Sequence, residues 1–270
     1  MTRQITAFPC ATEELVATLD TGTKASGLLI ISGGNEIRSG AFGGMAQLAA
    51  HFAAQGFAVF RYDRRGIGDS SGSNDGYRSS APDIGAAAKA FARLQPQLNN
   101  IVAFGNCDAA TALALFAGDI PSIKSLVLAN PWTIDEEAAD AGPTAPAIRA
   151  RYLRRLADPA AWADLAAGRI NLGKLVGGLF RLVKGRKATV TADALANRLE
   201  QLEIPTQILL ARRDMTASVF LSDWESSAFL GARANEFITL RQIDSASHSF
   251  ADVPSRDFLY ERIAAALRHD

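Results

Sequence analysis

The run from Ile101 to Thr111 leaves few folds open. It reads Ile-Val-Ala-Phe-Gly-Asn-Cys-Asp-Ala-Ala-Thr, a buried strand that passes through a tight turn into the first turn of a helix. Within it, Gly105-Asn106-Cys107-Asp108-Ala109 has a small residue two positions to either side of Cys107. A turn sharp enough to lift a side chain off the end of a strand presses strand and helix backbones together at those flanking positions, so both must be small. The side chain displayed here is a thiol, whose thiolate is a strong nucleophile and needs less help from a base than a hydroxyl does. The N-terminus of the following helix attracts negative charge on the sulfur, and the Asp108 carboxylate opposes it if it points inward. The competing reading is a buried, inert cysteine.

Composition narrows the class. The 270 residues, 48% of them hydrophobic, suffice for one large core with or without an insertion. A net charge of zero gives no field that points to nucleic acid. Two cysteines, Cys10 and Cys107, are too few for a disulfide framework and suit a reducing compartment. The amino-terminal residues have no apolar signal region, and no apolar run is long enough to be a transmembrane segment.

Around the elbow the chain alternates strand and helix patterns. Residues 4–8 and 14–19 alternate polar and apolar like an antiparallel pair. Continuous apolar runs at 27–32, 57–62, 101–104, 124–129, 206–211 and 236–243 complete a set of eight strands. Helices are predicted at 42–55, with Met45, Leu48, Ala49 and Phe52 on one face, and at 82–95 and 254–268, each with proline near its start. This alternation predicts an α/β fold with a mostly parallel eight-stranded sheet flanked by helices. The rhythm breaks between 133 and 203, where helical patterns occur without a convincing strand. That stretch is read as an inserted helical cap, with the core formed by 1–132 and 204–270. A cap suits an enzyme that must exclude water and shape a pocket.

Other segments supply partners for the thiol. Ser245-Ala246-Ser247-His248-Ser249-Phe250 follows the last strand, where ligand-facing loops collect, and His248 is the candidate base and later acid. His51 reads as a partly exposed helix residue and His269 as part of the terminal tail. Asp214 follows the strand 206–211 and could orient His248 and stabilise its charged form, with Asp223, Asp244 and Asp252 as competitors. For an oxyanion hole the elbow offers the backbone N–H of Asp108, and the Gly33-Gly34-Asn35 loop offers that of Gly34 or Asn35. Tyr62-Asp63-Arg64-Arg65-Gly66-Ile67-Gly68-Asp69-Ser70-Ser71-Gly72 is read as a structural loop whose Asp and Arg satisfy its own backbone.

These segments together resemble the α/β-hydrolase superfamily over essentially the whole chain. The nucleophile–acid–histidine order Cys107, Asp214, His248 and the Asp-x-Arg-Gly-x-Gly-x-Ser-x-Gly-like loop carry that likeness. More narrowly the chain resembles the hydrolases associated with the exosortase A system, first type. The residues concerned are Gly33-Gly34 with Arg38-Ser39-Gly40, the Cys-centred Gly105–Ala110 elbow, and Tyr152-Leu153-Arg154-Arg155-Leu156 with the run from Trp162 to Arg169. That resemblance implies a bacterial cytoplasmic protein linked to protein sorting and exopolysaccharide gene clusters. Ser32-Gly33 stands where many of the superfamily have His-Gly.

The expectation is thus an ester or thioester hydrolase working through an acyl-cysteine, acting on a small-molecule acyl substrate that could be carrier- or coenzyme-bound, without cofactor or metal. An acyltransferase, or a non-catalytic ligand-binding module on a hydrolase scaffold, is the alternative. Between Arg149 and Lys187 the chain carries ten Lys or Arg against two acids, Asp158 and Asp164. That excess is either a solvated face or a surface that docks an anionic partner. The sequence leaves the acyl group and the oligomeric state open.

Overall fold

The computed structural model describes residues 2–135 and 189–268. Its eight strands are β1 (Arg3–Cys10), β2 (Glu13–Asp20), β3 (Ser26–Ile31), β4 (Ala58–Tyr62), β5 (Asn100–Asn106), β6 (Ile123–Ala129), β7 (Thr206–Ala211) and β8 (Ile238–Ile243). They form one sheet in the order β1-β2-β4-β3-β5-β6-β7-β8. β2 pairs antiparallel with β1 and β4, and all other neighbours are parallel. The eight-stranded α/β expectation therefore holds, antiparallel pair included.

Strand composition explains the layering. Every residue of β3 is buried, as a continuous apolar run in the middle of a parallel sheet requires. Successive side chains point to opposite faces. Leu29, Ile31, Ile101 and Ala103 join one core layer, while Leu28, Ile30, Val102 and Phe104 join the other. The first layer is covered by α2 (Ala81–Leu94), α3 (Asp108–Phe116), α4 (Val190–Glu200) and α5 (Met215–Trp224) through Ile84, Phe91, Leu113, Leu195, Leu199 and Phe220. The second is covered by α1 (Gly44–Ala54) and, at the carboxyl end of the chain, Val253–Arg268, through Leu48, Phe52, Leu259 and Ile263. Each such Leu, Ile or Phe contributes about 1.5–3 kcal/mol through burial.

One difference from the sequence reading has a local cause. The helix expected from Phe42 begins instead as a short 3-10 turn, Ala41–Gly43, with Phe42 at a φ of 52° and its side chain exposed. Phe42 stands among glycines 40, 43 and 44, which set positive-φ turns at 40 and 43 rather than a first helical turn. The stretch expected as a cap, 133–203, lies mostly outside the described residues, and the basic run 149–187 lies wholly outside them. Within its described end, α4 packs into the first core layer. The two ends meet: the Asp135 carboxylate accepts from the Val190 N–H at 2.9 Å and the Thr191 hydroxyl at 2.5 Å. The Thr189 hydroxyl donates to the carbonyl of Thr133 at 2.5 Å.

The strand order positions the site. The chain leaves β3 towards β4 on one side and returns to place β5 on the other, so β3 lies between them. At such a switch point the loops after the two diverging strands open a crevice at the carboxyl edge of the sheet. Ile31 pairs with Gly105, which sets the Gly33-Gly34 loop beside Cys107.

Candidate active site

Cys107 stands between the end of β5 and the start of α3 with φ 61° and ψ −128°, a conformation that costs a side-chain-bearing residue about 1–3 kcal/mol. The surroundings hold it there. Its N–H donates to the carbonyl of Ala129 at 2.9 Å, and its own carbonyl accepts from Ala110 and Thr111 in the first turn of α3. A Cβ on Gly105 would lie 2.8 Å from the backbone of Ala109, which is the steric reason for the small residue expected there.

His248 and Asp214 come to the same edge from the loops after β8 and β7. The Nδ1 of His248 lies 3.1 Å from Oδ2 of Asp214, and Cys107 is near enough to the ring to favour its charged form. Asp214 is nearly buried and accepts in addition the N–H of Ala217 at 3.0 Å, so the same carboxylate caps α5. The hydrogen bond the ring donates to Asp214, followed by the influence of Cys107, raises the His248 pKa to about 10 against the opposing effect of burial. Burial pushes the Asp214 carboxyl upward, but the His248 hydrogen bond and the Ala217 N–H outweigh it and hold the carboxyl below its ordinary range. Of the competing acids, Asp223 accepts from the Thr133 hydroxyl, Asp244 pairs with Arg212 and Arg213, and Asp252 accepts from Ser245 and Ser255.

A residue absent from the sequence reading fixes the histidine loop. Asn130, fully buried at the end of β6 with a φ of 42°, donates from Nδ2 to the carbonyl of His248 at 3.0 Å and accepts the Ala211 N–H at 2.9 Å. It ties the loops after β6, β7 and β8 together. The only local signal is an asparagine after an apolar strand, a residue that tolerates positive φ.

The expected oxyanion loop has an unexpected occupant. The N–H of Gly34 faces the elbow, and the Asp108 carboxylate accepts it through Oδ1 at 2.5 Å. The other oxygen, Oδ2, lies 3.2 Å from Nη2 of Arg64, which also donates to the carbonyl of Gly34. Gly33 is needed for this approach, since a Cβ there would lie 2.4 Å from the carbonyl oxygen of Asn106 and 2.8 Å from Oδ1 of Asp108. Asn35 lines the same cavity as Cys107, and its side-chain oxygen accepts from Asn74 at 2.8 Å.

Arg64 corrects the reading of its loop as purely structural. The neighbours behave as expected: Asp63, fully buried, accepts from the backbone of Arg38 and Asp69 and from the Arg38 guanidinium, and Arg65 pairs with Asp83 at 2.6 Å. Arg64 instead turns to the switch point. Its reach depends on the β3–β4 pairing, which the spacing of the motif does not express. With Gly34, Tyr77, Cys107, Asp108 and Trp132 it lines a cavity of about 580 Å³. Among the described residues, no group of three or more His, Cys, Asp or Glu could hold a metal ion, and no helix is long and apolar enough to cross a membrane.

This architecture recurs among solved structures. The esterase Pf2001 of Pyrococcus furiosus aligns with a TM-score of 0.67 at 13% identity, covering 99% of this chain and 92% of that one. The proline iminopeptidase of Mycobacterium smegmatis aligns with a TM-score of 0.60 at 14% identity, covering 97% and 98%. The thioesterase domain from the curacin biosynthetic pathway aligns with a TM-score of 0.59 at 13% identity, covering 98% and 100%. At these identities the likeness is one of fold. No curated protein matches the chain in sequence. The model of one family, described as serine aminopeptidase, S33, matches residues 24–251. The chain, with a cysteine at its elbow, belongs to that family of α/β-hydrolases.

Proposed function

We propose that the protein hydrolyses an ester or thioester through an acyl-Cys107 intermediate. The observation that carries this reading is His248, hydrogen-bonded to Asp214 and with its charged form favoured by Cys107, which lines an open cavity. In the proposed reaction the Cys107 thiolate attacks the acyl carbon while the proton rests on His248. The carbonyl electron pair moves onto oxygen, which the backbone N–H groups of Asp108 and Gly34 receive. The N–H of Asp108, first residue of α3, has no acceptor within its own helix. Collapse of the intermediate breaks the bond to the leaving group, which takes its proton from His248. His248, now neutral, draws a proton from water as the water attacks the thioester, and the acid product leaves. Asp214 keeps the ring oriented and stabilises its charged form.

The resemblance to exosortase A-associated hydrolases leads us to propose a bacterial cytoplasmic setting and an acyl group presented by a carrier or coenzyme, with 149–187 as the docking segment and a cap between the core halves. The test uses aryl esters and thioesters of increasing chain length, with mass spectrometry of the protein. A transient acyl adduct on Cys107, with turnover lost in Cys107→Ala, is expected. Turnover by that variant at the wild-type rate overturns the reading. The occupied Gly34 N–H favours a second reading, a ligand-binding module; its mark is stoichiometric acylation without product release.

A further inference from the structure

We propose that the Asp108 side chain is a gate on the oxyanion hole and that Arg64 holds its open position. The proposal rests on the acyl-cysteine reading. The position a developing oxyanion needs beside the Gly34 N–H is filled by the protein's own anion, Oδ1 of Asp108 at 2.5 Å. A substrate carbonyl cannot use that donor until the carboxylate moves, and two like charges cannot share it.

The structure holds a second seat for the carboxylate. Arg64 is almost fully buried, and only its Nη2 is engaged, by Oδ2 of Asp108 and the carbonyl of Gly34. Its Nη1 and Nε are buried with no partner among the described residues. Buried guanidinium N–H groups without acceptors are costly, and a carboxylate satisfies two of them at once in a fork. Rotation of Asp108 off Gly34 would complete that fork and free the Gly34 N–H together. Gly33 leaves the space in which the carboxylate lies, since its own Cβ would fall 2.8 Å from Oδ1. Asp108 thus sets the acylation rate by occupying the donor, and Arg64 is a positioning residue acting through Asp108.

The test compares wild type with Asp108→Ala, Arg64→Lys and the double variant. It uses single-turnover acylation by a p-nitrophenyl ester and the amide proton resonance of Gly34. One oxyanion donor is worth about 100- to 1000-fold in rate. The closed state masks that donor for part of the time, so acylation of Asp108→Ala should rise by about tenfold or more. Its Gly34 amide proton should lose the downfield shift of a short hydrogen bond to a carboxylate. Arg64→Lys keeps the charge and loses the fork, so it should slow acylation. In the Asp108→Ala background the same change should have no effect, whereas a merely structural role would slow both backgrounds alike. Asp108→Ala acylating no faster than wild type overturns the gate, as does an unmoved Gly34 amide. The acyl-cysteine reading has its own control: it fails if Cys107→Ala still acylates, whatever Asp108→Ala does.

Discussion

Replacing Asp214 with Asn separates the two tasks of that carboxylate. Asparagine is as good an N-cap as aspartate, so the bond to the Ala217 N–H can be kept and α5 should lose only a few tenths of a kcal/mol. What disappears is the charged acceptor facing His248, whose hydrogen bond is the first cause of its pKa of about 10 and whose charge adds to it. With burial then set against what Cys107 still contributes, the imidazole should titrate towards its ordinary value of about 6.5. At pH 8 the wild-type ring is almost entirely protonated, whereas a ring titrating near 6.5 is about 3% protonated, a loss of roughly thirtyfold in the competent form. At pH 6 the two proteins should differ by less than about twofold on this account. The signature is therefore a defect that deepens as pH rises. The assay is kcat/KM for a neutral aryl ester from pH 5 to 10.5, with the histidine titration followed by NMR. The alkaline limb should fall near pH 10 in wild type and two or more units lower in Asp214→Asn. The same raised pKa makes His248 a source of stability that is full below its unfolded value and lost as pH rises through about 10. The variant should lose that slope. An unmoved limb with a reduced plateau would show that Asp214 orients the ring without setting its charge.

Other outcomes can be checked alongside. Cys107→Gly should be more stable than Cys107→Ala by about 1 kcal/mol in urea melts, because only glycine takes a φ of 61° without strain, and both should lack acylation. Gly105→Val should fail to fold or melt far lower, since even a Cβ meets the Ala109 backbone at 2.8 Å. Iodoacetamide at pH 8 should label Cys107 in the native protein and Cys10 only after denaturation, because Cys10 is buried beside Asp83 with its thiol pushed up to about 11. Asn130→Ala should lower kcat several-fold by loosening the His248 loop, and Asn130→Asp should not restore it, since a carboxylate cannot donate to the His248 carbonyl.

The elbow and the order of the three candidate residues were legible because they depend on local rules. Gly105 and Ala109 must be small wherever such a turn occurs, and continuous apolar runs such as 27–32 belong in a buried parallel sheet. Asp214 could be read because it ends a strand in the loop before an apolar helix. Arg64, Asn130 and the destination of the Asp108 side chain could not. Each acts across a strand pairing: Arg64 over 44 positions to Asp108, Asn130 over 118 to His248, Asp108 over 74 to Gly34. Nothing in the neighbouring residues records such a contact. Phe42 misled for the opposite reason. It fits a helical periodicity, and the glycines around it decide the backbone first.

The bonds that join Asp135 to Val190 and Thr191, with Tyr77 and Arg78 also held on Thr191, have a consequence for how such a chain can diversify. They fasten exit and return of the intervening chain to one spot on the scaffold. The described core, with Asn130, Asp214 and His248, is therefore closed off at these anchors on either side. A graft cut at Asp135 and Thr189 keeps both sets of anchoring bonds on the scaffold, which makes it the natural unit of exchange.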